Sequence, residues 1–70
     1  MTKYLVIIEQ SNTGYSAYVP DLPGCIATGD TKATTERNIY EAIQFHLEGL
    51  EAEGYNIPLP MSEAEMMVFS

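Results

Sequence analysis

A cysteine and a histidine are the only side chains in this sequence that could act as a thiol nucleophile and its base. They are Cys25 and His46, and each residue type occurs once. Nucleophilic catalysis needs both groups within hydrogen-bond reach and a third group that orients the imidazole, which the sequence does not supply. Cys25 follows a glycine at a predicted strand start, as small buried residues do. We therefore expect no catalytic residue, and we interpret His46 as a core or interface histidine.

Three carboxylates are the candidates for metal chemistry. Glu9, Asp21 and Asp30 each lie at or beyond the end of a predicted strand, so they are not expected to converge on one ion. Gly24 and Gly29 are isolated, and neither precedes a lysine that could meet a phosphate. The sequence predicts no metal and no cofactor. A metal-dependent nuclease is an alternative that rests on these three acids alone.

Hydrophobic periodicity predicts the elements that carry these residues. Tyr4–Glu9 is apolar on both faces and predicts a central strand, and Tyr15–Val19 alternates with a period of two and completes a hairpin. A loop with two prolines leads to a third strand, Cys25–Thr28. A long helix follows from Thr31 to about Glu53, and Met66–Phe69 is a candidate edge strand. The fold class is α+β: one domain, 1–70, with an antiparallel sheet of three to four strands and one long helix.

The helix has one apolar stripe and one exception. At 100° per residue, five side chains fall within a single arc that should pack on the sheet: Ile39, Ile43, His46, Leu47 and Leu50. Phe45 lies outside that arc, on a flank of small residues. A 70-residue monomer would struggle to bury this aromatic, so it predicts an interface.

Charge is unevenly distributed along the chain. The net charge is −7, and residues 38–70 hold six glutamates with no lysine or arginine. This opposes phosphate binding, so we expect no direct nucleic-acid partner and favour a basic protein. The longest apolar run near the start is far shorter than the ~20 residues of a membrane span. With one cysteine and no such span, the sequence predicts a cytoplasmic protein that does not bind membranes.

Several short motifs together resemble one known family. They are Gly14-Tyr15-Ser16-Ala17, Pro20-Asp21-Leu22-Pro23-Gly24-Cys25 and Gly29-Asp30-Thr31, followed on the helix by Glu41-Ala42-Ile43 and Phe45-His46-Leu47-Glu48-Gly49-Leu50. This pattern resembles the amino-terminal domain of the HicB antitoxin family over roughly residues 4–60. The combination is specific, although no single motif is.

The resemblance implies a β-β-β-α-β domain with a partial ribonuclease H fold that binds a small, basic, mRNA-cleaving toxin of the HicA type. An acidic helix suits such a partner, because opposite potentials speed encounter. Within this reading the expected toxin contacts are Glu41, Phe45, Glu48 and the Asp21-Leu22 loop. Family members form dimers or larger oligomers, so we also expect a homo-oligomer.

Homo-oligomer contacts are expected at Phe45, Met67 and Phe69, since an exposed strand at Met66–Phe69 could pair between subunits. Many HicB proteins also carry a carboxy-terminal DNA-binding domain, whereas only Met61 to Ser70 follow the matched region here. We therefore leave autorepression out of the expected function. The alternative to an antitoxin is a stand-alone HicB-fold oligomer of structural or regulatory role with no toxin partner.

Overall fold

The structure is a computed structural model that describes residues 2–70. Three strands precede one helix: β1 Ile7–Ser11, β2 Gly14–Tyr18, β3 Ile26–Gly29 and α1 Lys32–Ala52. The predicted fold class is confirmed, because three antiparallel strands and one long helix make an α+β domain. No helix among residues 2–70 is both long and apolar enough to cross a membrane.

The sheet has the order β1-β2-β3, with both neighbouring pairs antiparallel. Ile8 pairs with Ala17, which pairs in turn with Ala27, so these three residues face the same side. The prediction that the first strand is central was wrong, because β2 is central and β1 forms an edge. Tyr4 and Val6 line a groove beside the helix. Their apolar side chains therefore do not require a second neighbouring strand.

The helix packs over β2 and β3 and leaves β1 partly uncovered. Ile39 is buried, and Ile43 and Leu47 pack against the same core, which confirms the predicted apolar stripe. His46 and Leu50 lie half-buried at the margin of this stripe. The buried centre of the domain consists of Ala17, Val19, Leu22, Cys25 and Ile39.

Both helix ends follow from the local sequence. The Thr31 hydroxyl caps the helix by accepting a 3.1 Å hydrogen bond from the Thr34 amide. At the other end, Gly54 has φ +75° and donates to the Glu51 carbonyl, while the amide of Tyr55 donates to the Leu50 carbonyl. These two bonds form a Schellman motif, which glycine permits because it adopts a left-handed conformation without steric cost.

The loop between β2 and β3 folds inward. The amide of Leu22 donates to the Val19 carbonyl and the amide of Cys25 donates to the Leu22 carbonyl, both at 3.1 Å. These turns insert Leu22 into the core, where its side chain is 0% exposed. The proline-rich loop is therefore part of the packed structure.

The segment after the helix crosses the end of the sheet and is tied down at two places. The Tyr4 hydroxyl donates to the Pro58 carbonyl. The Asp21 carboxylate accepts hydrogen bonds from the Met61 amide, the Ser62 amide and the Ser62 hydroxyl at 3.0, 3.0 and 2.9 Å. We call this second set of contacts the Asp21 clasp.

Beyond the clasp the chain is unpaired. Within the described residues, Met66–Phe69 forms no strand, and its four side chains are exposed. The sheet thus has three strands, the lower of the two expected numbers, and residues 2–70 do not form the last strand of the β-β-β-α-β order. The reason is geometric, because the clasp holds Ser62 at the loop after the central strand and not beside a free sheet edge.

Candidate protein-binding surface

One flank of the helix carries an exposed aromatic side chain between two glutamates. Glu41, Phe45 and Glu48 are spaced i, i+4 and i+7, which places them on one helical face. Phe45 is 80% exposed, and both glutamates are exposed. The prediction that Phe45 escapes the buried stripe is confirmed. An exposed phenyl ring with carboxylates on both sides is a combination typical of binding surfaces.

Phe45 borders a shallow groove of about 550 Å³ between the helix and the start of β3. Two further apolar side chains line this groove and are largely exposed, namely Ile26 at 69% and Tyr55 at 65%. The Schellman motif fixes Tyr55 beside Leu50, and the β2 pairing turns Ile26 away from the core. We define the Phe45 surface as Ile26, Glu41, Phe45, Glu48, Glu53 and Tyr55.

The acidic residues near this surface lie at the C-terminal end of the helix, where the helix dipole disfavours negative charge. The last turn of the helix contains Glu51 and no basic residue, Glu53 is the C-cap, and the first turn contains no acid. The C-terminal end of a helix carries partial negative charge, so each acid there costs about 0.3–1 kcal/mol when exposed at low salt. The acidic end is therefore not explained by helix stability.

Cys25 and His46 lie on the wall of the same groove, but the structure does not make them a catalytic pair. Among residues 2–70 no hydrogen bond joins them. Burial raises the pKa of the Cys25 thiol, which keeps it protonated and a poor nucleophile near neutral pH.

The three candidate metal ligands are separated. Glu9 is in β1, Asp30 follows β3, and Asp21 lies in the loop at the opposite end of β3 from Asp30. In the described part of the chain, no three Cys, His, Asp or Glu side chains gather as a metal site would require. The Asp21 carboxylate is already engaged, since hydrogen bonds from Ser62 and Met61 lower its pKa despite partial burial.

The remaining predicted contact residues have different surroundings. Leu22 is fully buried, so a partner could reach only the backbone of its loop, and Asp21 holds the Asp21 clasp. Met67 and Phe69 are 72% and 86% exposed. Contacts at these positions therefore stay predictions, and those for Asp21 and Leu22 concern the loop as a whole.

Sequence reasoning missed Ile26, Glu53 and Tyr55 as members of the Phe45 surface. Ile26 alternates outward in β3 while Cys25 and Ala27 face the core, a pattern visible in the sequence once the third strand is placed. Tyr55 follows the glycine that ends the helix, which is the position of the apolar contact in a Schellman motif. Both signals are present in the sequence.

This small α+β domain exposes an apolar patch between carboxylates, and exposed apolar patches are common at protein-binding sites. A family model described as the HicB-like antitoxin of a bacterial toxin–antitoxin system matches residues 4–69. The chain belongs to the HicB-like antitoxin family, which confirms the resemblance found in the sequence. The match also includes the unpaired Met66–Phe69 segment.

Relatives with similar sequences come from a phage and from an archaeon. An uncharacterised 14.9 kDa protein of Haemophilus phage HP1 is 44% identical over 55 residues, which cover 79% of this chain and 41% of the relative. A UPF0150 protein of Thermoplasma acidophilum is 42% identical over 62 residues, which cover 87% of this chain and 90% of the relative. This chain thus spans less than half of the phage protein.

Two solved structures share the fold. A chain of the "HicA3 and HicB3 toxin-antitoxin complex" superposes with a TM-score of 0.72 at 35% identity, covering 86% of this chain and 70% of that one. The crystal structure of antitoxin HicB3 gives a TM-score of 0.70 at 35% identity, with 86% of this chain and 44% of that one covered. The fold described here is therefore that of known antitoxins.

Proposed function

We propose that this protein is an antitoxin that binds a small basic HicA-type toxin and occludes its RNA-cleaving site. The observation that carries the proposal is the exposed Phe45 between Glu41 and Glu48 on one helical flank. Membership in the HicB-like antitoxin family and likeness to a chain of a HicA3–HicB3 complex support it. The action is steric and electrostatic, and no chemical step is required of this chain.

The residues of the Phe45 surface have separate roles in this proposal. Phe45 is the anchor, because a largely exposed phenyl ring loses much water-accessible area when it enters a partner's pocket. Glu41 and Glu48 attract a basic surface and speed its approach. The acids at the helix end act in the same direction, since positive charge from a toxin would relieve their repulsion with the helix dipole.

The partner can be identified with the tagged chain itself. A pull-down from the cytoplasm of the source cell, analysed by mass spectrometry, should recover a small basic protein in stoichiometric amount. Co-expression of this chain should then restore growth to cells arrested by that protein. Arrest that persists while both proteins are soluble and abundant would refute neutralisation. Recovery of the chain alone would favour the stand-alone oligomer.

The binding surface is tested with two aromatic residues on opposite flanks of the helix. Phe45 and Tyr40 are both largely exposed, at 80% and 63%, but Tyr40 lines the other side, near β1. Phe45→Ala should weaken toxin binding by about 30-fold or more, the size of a hot-spot loss of about 2 kcal/mol. Tyr40→Ala should leave affinity within about threefold. If calorimetry gave the same loss of toxin affinity for the two variants, Phe45 would not be the anchor of the interface.

The steering role of the glutamates has its own kinetic signature. The double variant Glu41→Gln/Glu48→Gln should lower the association rate severalfold at low salt, with a smaller change in the dissociation rate. The difference from wild type should shrink as salt rises, because screening weakens long-range attraction. An association rate that does not change with salt would contradict electrostatic steering.

A further inference from the structure

The helix contains one glycine that the fold does not require. Gly49 is exposed, and a Cβ atom there would meet nothing within 4 Å. Its φ is negative like that of its helical neighbours, so the backbone conformation does not demand glycine either. Glycine inside a helix is less stable than alanine, because it loses more conformational freedom on folding. Stability therefore does not explain the lack of a side chain at this position.

The space above Gly49 is part of the groove beside Phe45. Phe45, Gly49 and Glu53 are spaced i, i+4 and i+8, so they form one row along the helix surface. All three line the groove of about 550 Å³. A side chain at position 49 would therefore lie between the phenyl ring and the Glu53 carboxylate. We call this open space the Gly49 gap.

The Gly49 gap is apolar along its sides and negative at one end. Ile26 and Tyr55 line the same groove and are 69% and 65% exposed. Glu53 lies where the helix ends, and the last helical carbonyls add partial negative charge there. Among the described residues that line the groove, only His46 has a side chain that can carry positive charge. The gap thus offers aromatic and aliphatic surface together with a carboxylate.

An arginine side chain matches this combination of surfaces. Its stem is apolar, and its planar guanidinium is weakly hydrated, stacks on aromatic rings and donates hydrogen bonds to carboxylates. A lysine ammonium has the same charge but is strongly hydrated and is not planar, so it gains less from an aromatic wall. A neutral apolar side chain would cover Ile26 and Tyr55 but would leave the Glu53 carboxylate desolvated without a partner.

We propose that the Gly49 gap receives an arginine side chain of the protein partner. The arginine stem lies against Ile26, and the guanidinium stacks on Tyr55 and pairs with Glu53. Gly49 admits this side chain, since a larger residue at that position would fill the space. This arginine site rests on the proposed function, because the partner is the basic toxin, and it specifies which side chain that partner presents.

Filling the gap tests the role of Gly49. Gly49→Gln should weaken toxin binding at least about tenfold, because the longer side chain occupies the place of the arginine. The variant should unfold at the same or a higher urea concentration than wild type, since glutamine favours the helix over glycine. Ala33→Gln adds the same side chain at an exposed position near the other end of the helix and should change the affinity by less than about threefold. Equal affinities of Gly49→Gln and wild type would overturn the proposal.

A double-mutant cycle identifies the contact. Each arginine of the toxin recovered by pull-down is replaced in turn by lysine, which keeps the positive charge and removes the planar guanidinium. One of these variants should bind the wild-type chain about tenfold more weakly, and most of that loss should disappear against Glu53→Gln. The loss should persist against Glu51→Gln, because Glu51 lies at the same helix end but outside the groove. If the toxin binds the wild-type chain and none of its arginines couples to Glu53, the arginine site is refuted while the proposed function stands.

The gap is also tested without the toxin. In an NMR titration of the wild-type chain, N-acetylarginine amide should shift the signals of Ile26 and Tyr55 in a saturable way, and N-acetyllysine amide should bind at least about threefold more weakly. Gly49→Gln should abolish these shifts, whereas Ala33→Gln should retain them. Saturation by the arginine amide when no basic protein is recovered would refute the toxin as the partner and keep the arginine preference of the groove. No saturable shift, or equal binding of the two amides, would overturn the arginine site.

Discussion

Two glycines of this domain should respond in opposite ways to the same substitution. A Cβ atom on Gly29 would lie 2.6 Å from the Thr35 hydroxyl oxygen and 2.9 Å from the Thr35 amide nitrogen. A Cβ on Gly49 would meet nothing within 4 Å. Gly29→Ala therefore forces β3 and the helix apart, whereas Gly49→Ala only improves the helix.

The size of each change in stability follows from the atoms around the substituted glycine. Thr35 is 0% exposed and its hydroxyl donates to the Thr31 carbonyl at 2.8 Å, so it cannot move aside without breaking the first helical turn. Overpacking of this kind lowers the free energy of unfolding by about 1–3 kcal/mol. The reduced conformational freedom of the unfolded chain offsets about 0.4–1 kcal/mol of this loss. We expect a net loss of about 1–2 kcal/mol for Gly29→Ala. Gly49→Ala should gain about 0.5–1 kcal/mol.

Urea denaturation at a fixed protein concentration is the appropriate assay, because self-association would make the midpoint depend on concentration. In thermal melts, each kcal/mol should move the midpoint by about 4–8 °C for a domain of this size. The m-value should stay unchanged. If Gly29→Ala were as stable as wild type, the described approach of β3 to the helix would be refuted. A Gly49→Ala variant less stable than wild type would instead contradict the open space around Gly49.

Three further predictions concern the core, the clasp and the thiol. Leu22→Ala should cost about 2–5 kcal/mol in urea denaturation, because it removes a fully buried side chain; a loss under 1 kcal/mol would contradict its burial. The pKa of Asp21 is lowered from 3.8, so its stabilising contribution is complete above that value and is lost as pH falls through the folded pKa. The advantage of wild type over Asp21→Asn should therefore be present at pH 6 and shrink below about pH 4, and an advantage that grows with acid would refute the clasp. Burial raises the pKa of Cys25, so a thiol reagent at pH 8 should react slowly with native protein and fast in urea; equal rates would contradict that environment.

Local sequence signals predicted the helix and its flanks well. The Thr31 cap, the Gly54 stop and the exposed position of Phe45 all follow from periodicity and capping chemistry, which act within a few residues. The strand order could not be predicted from such local signals. Tyr4–Ile8 is apolar on both faces, which predicts a central strand, but β1 is an edge strand and the side chains of one face, Tyr4, Val6 and Ile8, line a groove.

Long-range contacts limited the prediction of the candidate site. The Asp21 clasp joins residues that are 40 and 41 positions apart, and no local pattern around Asp21 or Ser62 signals the pairing. The burial of Leu22 is a similar case. The sequence predicts a partner contact for the Asp21-Leu22 loop, but the turn hydrogen bonds around Leu22 direct its side chain into the core.

The arrangement of charges on the helix connects stability with function. Lys32 begins the helix and Glu51 and Glu53 end it, which is the reverse of the order that the helix dipole favours. Selection for stability alone would place acids at the start and bases at the end, and such exchanges are available because both ends of the helix are exposed. The free domain therefore carries an electrostatic cost at this helix end, where Glu53 lines the same groove as Phe45. Under the proposed function, a basic partner docked on that groove would reduce the cost. This coupling predicts that toxin binding raises the free energy of unfolding by more in wild type than in a Glu51→Gln/Glu53→Gln variant. The two proteins should differ least at high salt, where screening weakens both the cost and its relief.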